Sequence, residues 1–321
     1  MKIAVLANPG SGGGRKVRQT LEKICRSWPD HELFGAAGFG GETLPRCLKP
    51  EQKAEGYLPA FRQAMDLLLA EGPELLVTVG GDGTAAYAAE ELLKQGAKVP
   101  LFGIGTGTAN VGPIVTLGAS DPLPDPEALK PLILGAVEAL TLSGEHIAYG
   151  FNDLVLGNTF LGTDENGSMV TFSAKALARD GILKKEAPLK QILKEDGAFR
   201  FRGGAELPLP FPAAQLIAAP LGQDSYYGRA VTGLLCYTSG SPYQAALFTS
   251  PTPIVSMEES PAGYEEWLTG AQLLLKEGDL FEAVWPLEPV CVIADGNPCR
   301  IPPEGIAIRY VPSLLTVLAR R

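Results

Sequence analysis

A glycine-rich turn around one carboxylate constrains this chain more than any other feature. The letters Gly-Gly-Asp-Gly-Thr at 80–84 follow an apolar run at 75–79 and open a helix-forming run at 84–94. We expect the glycines to permit positive φ and a close approach of phosphate to the N–H groups at the helix start. A carboxylate among phosphates is unfavourable unless it binds a metal or accepts a proton, so Asp82 indicates phosphoryl transfer. The alternative is a plain turn in which Asp82 caps the helix.

Two more loops of similar chemistry follow predicted strands. An apolar run at 3–7 leads into Asn-Pro-Gly-Ser-Gly-Gly-Gly at 8–14 and then into an amphipathic helix at 15–25. A run at 99–104 leads into Gly-Thr-Gly-Thr-Ala-Asn at 105–110. In open parallel sheets ligands bind outside the carboxyl ends of the strands, so the three loops together predict one phosphate site. The third loop taken alone is equally compatible with an ordinary turn.

These loops, taken in order, resemble the motifs of a known superfamily. In letters, order and spacing they are similar to NAD kinases, diacylglycerol-type lipid kinases and, more distantly, phosphofructokinases. The second half of the chain resembles NAD kinases at four landmarks: Phe-Asn-Asp-Leu-Val-Leu at 151–156, Tyr-Thr-Ser-Gly-Ser-Pro-Tyr-Gln at 237–244, Pro-Thr-Pro-Ile at 251–254 and Ile-Ala-Asp-Gly at 293–296. The resemblance leaves the stretch from about 162 to 220 unassigned.

The sequence also departs from the NAD-kinase pattern. Asp153 stands where that family has Glu, and Tyr243 and Gln244 stand where it has Ala and Tyr. Thr232 precedes Gly233 where an acid is usual, and the letters at 107–110 are closer to the lipid-kinase form of the third loop. The chain is therefore a divergent member, and its acceptor is more open than its reaction type.

The resemblance implies ATP- or polyphosphate-dependent phosphorylation of a hydroxyl, most directly the adenosine ribose 2′-OH of NAD. Asp82 would orient that hydroxyl and take its proton, while Mg²⁺ or another divalent cation, with ligands unassigned, neutralises charge. The implied donor-phosphate residues are Asn8, Gly10, Ser11, Gly12, Gly80, Gly81, Gly83, Thr84, Thr106 and Thr108. The implied acceptor residues are Asn110, Asn152, Asp153, Ser241, Tyr243 and Asp295.

Alternatives remain open at this stage. Asn152 and Asp153 are also compatible with a strand-end turn, and Asp-Gly-Asn-Pro at 295–298 is also a hairpin signal. The chain is alternatively a lipid (diacylglycerol or sphingoid-type) or other small-alcohol kinase, or a non-catalytic nucleotide-binding module. An apolar tunnel in the second domain would indicate a lipid, and a polar cleft at Asn152 and Asp153 would indicate NAD.

The pattern of strands and helices changes along the chain. Residues 1–142 predict a three-layer α/β domain with a parallel sheet, with helices at 57–70 and 125–142 among its elements. Residues 143–321 predict a mainly β acceptor domain, with the possibility left open that the C-terminal tail packs back on the first domain. Its short β-type runs are 150–156, 213–219, 231–237 and 290–293. A basic amphipathic stretch at 174–194 favours a solvated helix face, and membrane contact there would favour the lipid-kinase alternative.

Composition narrows the class of protein. The formal charge of −9 over 321 residues disfavours a nucleic-acid surface. No apolar run approaches the ~18 residues of a membrane span, and no signal peptide is apparent, so we expect a cytoplasmic protein without membrane contact. Five widely spaced cysteines predict reduced thiols, with Cys25 and Cys236 in the core. Because the chain has only two histidines, a zinc site and a Ser-His-Asp triad are disfavoured. Because it has no P-loop and no Gly-x-Gly-x-x-Gly, a P-loop ATPase and a Rossmann dehydrogenase are also disfavoured. The resemblance implies a homo-oligomer, a dimer or tetramer.

Overall fold

A parallel sheet with interspersed helices forms the first part of the fold, and antiparallel sheets form the second. The computed structural model describes residues 1–107, 110, 112–164, 168–189, 191–192, 198–202, 204, 206–208, 211–221, 243–254, 270–284 and 290–320. Two units result, Met1–Leu134 with Ser313–Arg321, and Gly135–Pro312. The predicted fold class is confirmed. Thr108, Ser241, Cys236 and the run predicted at 231–237 lie outside the described residues.

The first unit alternates strands with helices. Its parallel strands lie in the order β3-β2-β1-β4-β5, with β6 beside β5. The chain therefore moves to one side of β1 for two strands and returns on the other side for β4, which makes the β1–β4 boundary a topological switch point. The elements are β1 Lys2–Ala7, α1 Arg15–Ser27, β2 Glu32–Ala36, β3 Arg46–Leu48, α2 Tyr57–Ala70, β4 Leu75–Gly80, α3 Asp82–Lys94, β5 Leu101–Gly105 and β6 Val115–Gly118.

Burial explains why the strands of this unit are continuous apolar runs. All residues of β4 and β5 are buried, since a parallel sheet between helices has no solvated face. Alternate residues of β1 and β4 join the core cluster that α1 covers with Val17, Leu21 and Ile24. This packing fixes where β1 and β4 end, and hence where their following loops begin.

The second unit is built mainly from antiparallel strands. One sheet has the order β16-β15-β14-β9-β18-β19, and β13-β12-β17-β20 form another set in which β20 pairs with β17. Residues of both sets share one buried cluster, so the two layers enclose a common core. The strands β7 and β20 contribute residues to both units. The elements are β7 Lys130–Thr141, β8 His146–Gly150, β9 Leu154–Gly157, β10 Thr159–Thr163, β11 Met169–Ser173, α4 Ala174–Asp180, β12 Ala198–Phe201, β13 Glu206–Pro208, β14 Gln215–Pro220, β15 Ala245–Ser250, β16 Ala271–Leu275, β17 Phe281–Val284, β18 Cys291–Ala294, β19 Asn297–Arg300 and β20 Gly305–Ala319.

The helix predicted at 125–142 is wrong. Pro126–Ala128 form one short 3₁₀ turn, and β7 then runs to Thr141, pairing with β8. Residues 134–140 are buried without a break, and burial on both faces removes the alternation by which a strand is recognised. Strand pairing thus overrides the helical propensity of the Leu, Ala and Glu residues in this segment.

Two smaller predictions also need correction. Among the described residues of the basic stretch at 174–194, only Ala174–Asp180 are helical, because Gly181 with φ 69° ends the helix. Cys25 is half-buried rather than a core residue, whereas Cys291 is fully buried. Burial raises the pKa of the Cys291 thiol to about 12. Across the described ranges, no helix has the length and hydrophobicity that a membrane crossing requires.

Candidate functional site

The loops after β1, β4 and β5 lie together, because these three strands are neighbours and run in parallel. The Asn8 Nδ2 group donates to Thr84 Oγ1 at 3.2 Å, which ties the first loop to the second. Thr106 Oγ1 donates to Ser11 Oγ at 2.9 Å, and the Thr106 N–H donates to the Gly80 carbonyl at 2.7 Å. The structure therefore brings the predicted residues of all three loops to one edge of the sheet.

In the first loop, glycine is required both by dihedral angle and by space. Gly12, Gly13 and Gly14 have φ values of 57°, 71° and 73°. A Cβ atom on Gly12 would overlap the Thr106 carbonyl oxygen, whereas one on Gly13 would meet no atom within 4 Å. Asn8 Oδ1 accepts from the Gly10 N–H at 3.0 Å and holds the start of the loop. This backbone-lined loop is the kind that approaches phosphate closely.

In the second loop, glycine is required by space alone. Gly81 has φ −95°, and neither Gly80 nor Gly83 is among the described residues with positive φ, so our expectation of positive φ here is wrong. A Cβ on Gly80 would lie 2.6 Å from Thr84 Oγ1, and one on Gly107 would lie 3.1 Å from the Gly81 Cα. The glycines allow β4, the α3 start and the third loop to pack closely.

Asp82 is the first residue of α3, and Gly81 occupies the N-cap position. The alternative in which Asp82 caps the helix is therefore wrong. Its half-buried side chain stands in the first helical turn, where the helix dipole favours a negative charge. A carboxylate in this position, beside glycine loops, is one that could accept a proton or contact a cation.

Asn110 supplies a polar atom directed at the same place. Its Nδ2 group donates to the Gly107 carbonyl at 3.2 Å. Its Oδ1 atom is buried, accepts no hydrogen bond within the described part of the chain, and lies 3.9 Å from where a Cβ on Gly81 would stand. A buried carbonyl oxygen in that position calls for a donor or a cation. Among the described residues no cluster of three His, Cys, Asp or Glu side chains could hold a metal.

The second unit contains a carboxylate in a very different setting. Asp295 accepts hydrogen bonds from the N–H groups of Phe151 at 3.1 Å, Asn152 at 2.7 Å and Asp153 at 3.0 Å. Burial first, and the Asp153 charge second, raise the pKa of Asp295 to about 8 against the effect of these three donors. With φ 48° and 79°, Asp295 and Gly296 form the two-residue turn between β18 and β19.

Asp295 thereby fixes the turn that displays Asn152 and Asp153 between β8 and β9. Asn152 Nδ2 donates to Asp153 Oδ2 at 2.8 Å. Asn152 Oδ1 is buried and accepts no hydrogen bond from any described residue. Tyr243 packs against a small cluster that includes Ala219 and Ala246, under the ammonium of Lys276. The predicted acceptor residues that the structure joins are Asn152, Asp153 and Asp295.

Comparison with known proteins agrees with this geometry. Residues 2–142 match the family model described as the diacylglycerol kinase catalytic domain. A candidate diacylglycerol kinase from Bacillus anthracis strain Sterne superposes with a TM-score of 0.54 at 13% identity, over 99% of this chain and 97% of that one. Yeast NADH kinase complexed with NADH superposes with a TM-score of 0.54 at 13% identity, over 100% of this chain and 84% of that one.

This chain has the fold of the diacylglycerol kinase and NAD kinase superfamily. The resemblance stated from the motifs is confirmed at that level. The diacylglycerol kinase catalytic-domain match contains all three loops, which supports a phosphotransferase. No curated protein matches the chain in sequence.

The second unit also contains an apolar cavity. Its volume is about 150 Å³, and its lining is mostly apolar. A cavity of about 150 Å³ accepts a molecule the size of benzene, whereas ligand pockets commonly measure about 300–1,000 Å³. Lining residues include Phe199, Leu207, Leu216, Leu247, Leu273 and Phe281.

Tyr57 is a neighbour of the loops that the sequence did not indicate. It begins α2, and its hydroxyl lies near the side chain of Thr84. A tyrosine between a loop and a helix carries no motif, and only the folding of α2 beside α3 brings it to this place.

Proposed function

We propose that this chain is a kinase that transfers a phosphoryl group from ATP or polyphosphate to a hydroxyl, with the adenosine ribose 2′-OH of NAD as the first candidate acceptor. The meeting of the three loops carries this proposal. The Asn8–Thr84 and Thr106–Ser11 hydrogen bonds hold two helix N-termini and a third loop around one space at the switch point of the sheet. Helix N-termini and glycine loops in that position favour the binding of a chain of phosphate groups, whether it belongs to ATP or to polyphosphate.

Asp82 is the proposed general base. A carboxylate that takes the acceptor's proton as the hydroxyl attacks phosphorus contributes about 10²–10⁴ in rate. Mg²⁺ fits this site because it usually takes one or two protein oxygens and completes its shell with phosphates and water. Asn110, whose buried Oδ1 accepts no hydrogen bond from the described residues, carries an oxygen that would hold it, and it would neutralise charge on the transferred group.

The case for NAD rests on the turn at Asn152 and Asp153. An amide oxygen without a hydrogen bond from the described residues and a carboxylate next to it form an acceptor pair. The amino group and hydroxyls of adenosine are donors that match such a pair. We therefore propose that Asn152 and Asp153 bind the adenosine of the acceptor.

A lipid alcohol is the second candidate, favoured by the apolar cavity of the second unit and by the lipid-kinase form of the third loop. The lipid ranks below NAD because the cavity is small. A cavity that matches a benzene-sized group has room for only a small part of an acyl chain. A lipid would have to enlarge the cavity against the cost of separating packed side chains.

The experiment compares acceptors and two diagnostic variants. Purified chain is given ATP or polyphosphate with Mg²⁺, and NAD, NADH, diacylglycerol and sphingosine in detergent micelles are tested for phosphorylation. Asn152→Ala should reduce NAD phosphorylation and spare a lipid, whereas Leu273→Trp, which fills the cavity, should do the opposite. Phosphorylated lipid without NADP would replace NAD by the second candidate, and ATP binding without any phosphorylated product would indicate a non-catalytic nucleotide-binding module.

The assembly is a further part of the proposal. The family resemblance implies a homo-oligomer, and light scattering of the purified chain distinguishes a dimer or tetramer from a monomer. A monomeric mass at assay concentration would contradict this part and leave the kinase proposal unchanged.

A further inference from the structure

A half-exposed tyrosine stands beside the donor loops. Tyr57 is the first residue of α2, and 43% of its surface is exposed. Burial raises the pKa of the Tyr57 hydroxyl, and the Thr84 side chain lies close enough to lower it in part. Thr84 Oγ1 also accepts from Asn8 Nδ2 at 3.2 Å. The Tyr57 side chain therefore lies next to the loops after β1 and β4.

The aromatic ring is held in place by its neighbours. Its centroid lies 6.0 Å from that of Phe39 and 6.0 Å from that of Phe61, and both of these rings are buried. The Phe39 carbonyl in turn accepts from the Ala7 N–H at 2.9 Å, at the end of β1. A ring packed against two buried aromatics loses little conformational entropy when a ligand covers its exposed part.

We propose that Tyr57 stacks on the purine base of the phosphoryl donor and thereby favours ATP over polyphosphate. This inference rests on the proposed donor site and deepens it by naming what lies beyond the phosphates. A flat aromatic surface binds any base through its π-face, and one stacked base strengthens binding about 5- to 150-fold. Polyphosphate has no base, so the same ring gives it no advantage.

The test measures binding without an acceptor. Dissociation constants of Mg-ATP and of Mg-tripolyphosphate are determined by calorimetry for the native chain, Tyr57→Leu and Tyr57→Phe. Tyr57→Leu should weaken ATP about tenfold and leave tripolyphosphate within about twofold of native. Tyr57→Phe, which keeps the ring and removes the hydroxyl beside Thr84, should bind ATP nearly as tightly as the native chain. Ile133→Ala, which truncates another exposed apolar residue of the first unit, is the matched control.

Other outcomes overturn the inference. Equal weakening by Tyr57→Leu and Tyr57→Phe would assign the effect to the Tyr57 hydroxyl rather than the ring, and equal loss of both ligands would assign it to the shape of the loops. If the native chain bound tripolyphosphate as tightly as ATP, the purine base would add nothing to binding, and this would contradict stacking on Tyr57. A chain that binds neither overturns the donor site and this inference with it. Should Tyr57→Leu fail to fold, Tyr57→Trp should tighten ATP alone, and no change in ATP affinity would count against stacking.

Discussion

The dipeptide Asp-Gly occurs after a buried strand in each unit, at 82–83 and at 295–296, and the two copies do different things. Asp82 opens a helix at the loop after β4 and is half-buried. Asp295 turns a hairpin with φ 48°, is buried, and accepts three backbone N–H groups. The same letters thus give a half-buried carboxylate at a helix start in one unit and a buried carboxylate that holds a backbone turn in the other.

The difference follows from what comes next in the chain. After β4 the chain crosses through α3 to a parallel neighbour, so its turn stands at the sheet edge where ligands bind. After β18 the chain returns at once as β19, and the side chain of Asp295 is directed at the neighbouring turn at 151–153. An Asp-Gly motif therefore has to be interpreted together with the topology of its strand.

The largest expected effect is a loss of turnover when Asp82 is replaced. Asp82→Asn removes the proton acceptor while keeping size and shape, so turnover should fall by about 10²-fold or more. A coupled assay for NADP formation measures the rate, and diacylglycerol and sphingosine are tested as acceptors in parallel. The control is Asp66→Asn, an exposed acid of α2 in the same unit, which should retain activity. Turnover preserved in Asp82→Asn would exclude the base role.

The second prediction concerns stability. Asp295→Ala leaves three N–H groups at 151–153 without their acceptor, and an unpaired buried donor costs about 1–3 kcal/mol, so unfolding should become easier by about 3 kcal/mol in total. Asp82→Ala should cost less than about 1 kcal/mol, because a half-buried carboxylate in a first helical turn contributes about that much. Urea unfolding of both variants tests the contrast, and equal losses would refute it.

The third prediction is a pH dependence with a defined sign. Since the pKa of Asp295 rises to about 8 in the folded chain from an ordinary value of 3.8, the folded state binds more protons between these values. Its contribution to stability is therefore complete below about pH 4 and is lost as the pH rises to about 8. Unfolding in urea at pH 5 and pH 8 should show this loss in the native chain and not in Asp295→Asn. The same change in the free energy of unfolding between pH 5 and pH 8 in both chains would mean that groups other than Asp295 cause the loss.

The smallest expected effect concerns Gly12 and Gly13 in the first glycine-rich loop. Gly12→Ala and Gly13→Ala both place a Cβ at positive φ, at a cost of about 1 kcal/mol. Only the Gly12 variant also meets the Thr106 carbonyl, so it should additionally raise the KM for ATP. Steady-state kinetics of the pair measure this. Equal KM values would show that loop closure against Thr106 is unimportant for the donor.

Much of the first unit was predictable from local patterns. The strands at 75–79 and 3–7, the helix at 57–70 and the convergence of three glycine loops all agree with the structure. They are predictable because a buried parallel strand, a glycine turn and a helix start each leave a signature within a few residues. The residues' catalytic and binding roles stay predictions until the variants are measured.

The second unit was less predictable. The segment at 125–142 has the composition of a helix and forms a strand, because pairing with β8 decides its conformation. Neither the use of Asp295 as an anchor for 151–153 nor the place of Tyr57 beside Thr84 leaves a local trace. Both contacts join residues far apart in sequence, and only the folded backbone specifies them.

By itself, the sequence determined the fold class, the resemblance to diacylglycerol kinases and NAD kinases, and the three loops of the first unit, because glycine spacing and apolar runs act over short stretches of chain. Tertiary structure decided which of two Asp-Gly carboxylates starts a helix and which is buried and holds a turn. The physical reason is that burial and hydrogen-bond partners set the state of a carboxylate, and both depend on strand pairing across the chain.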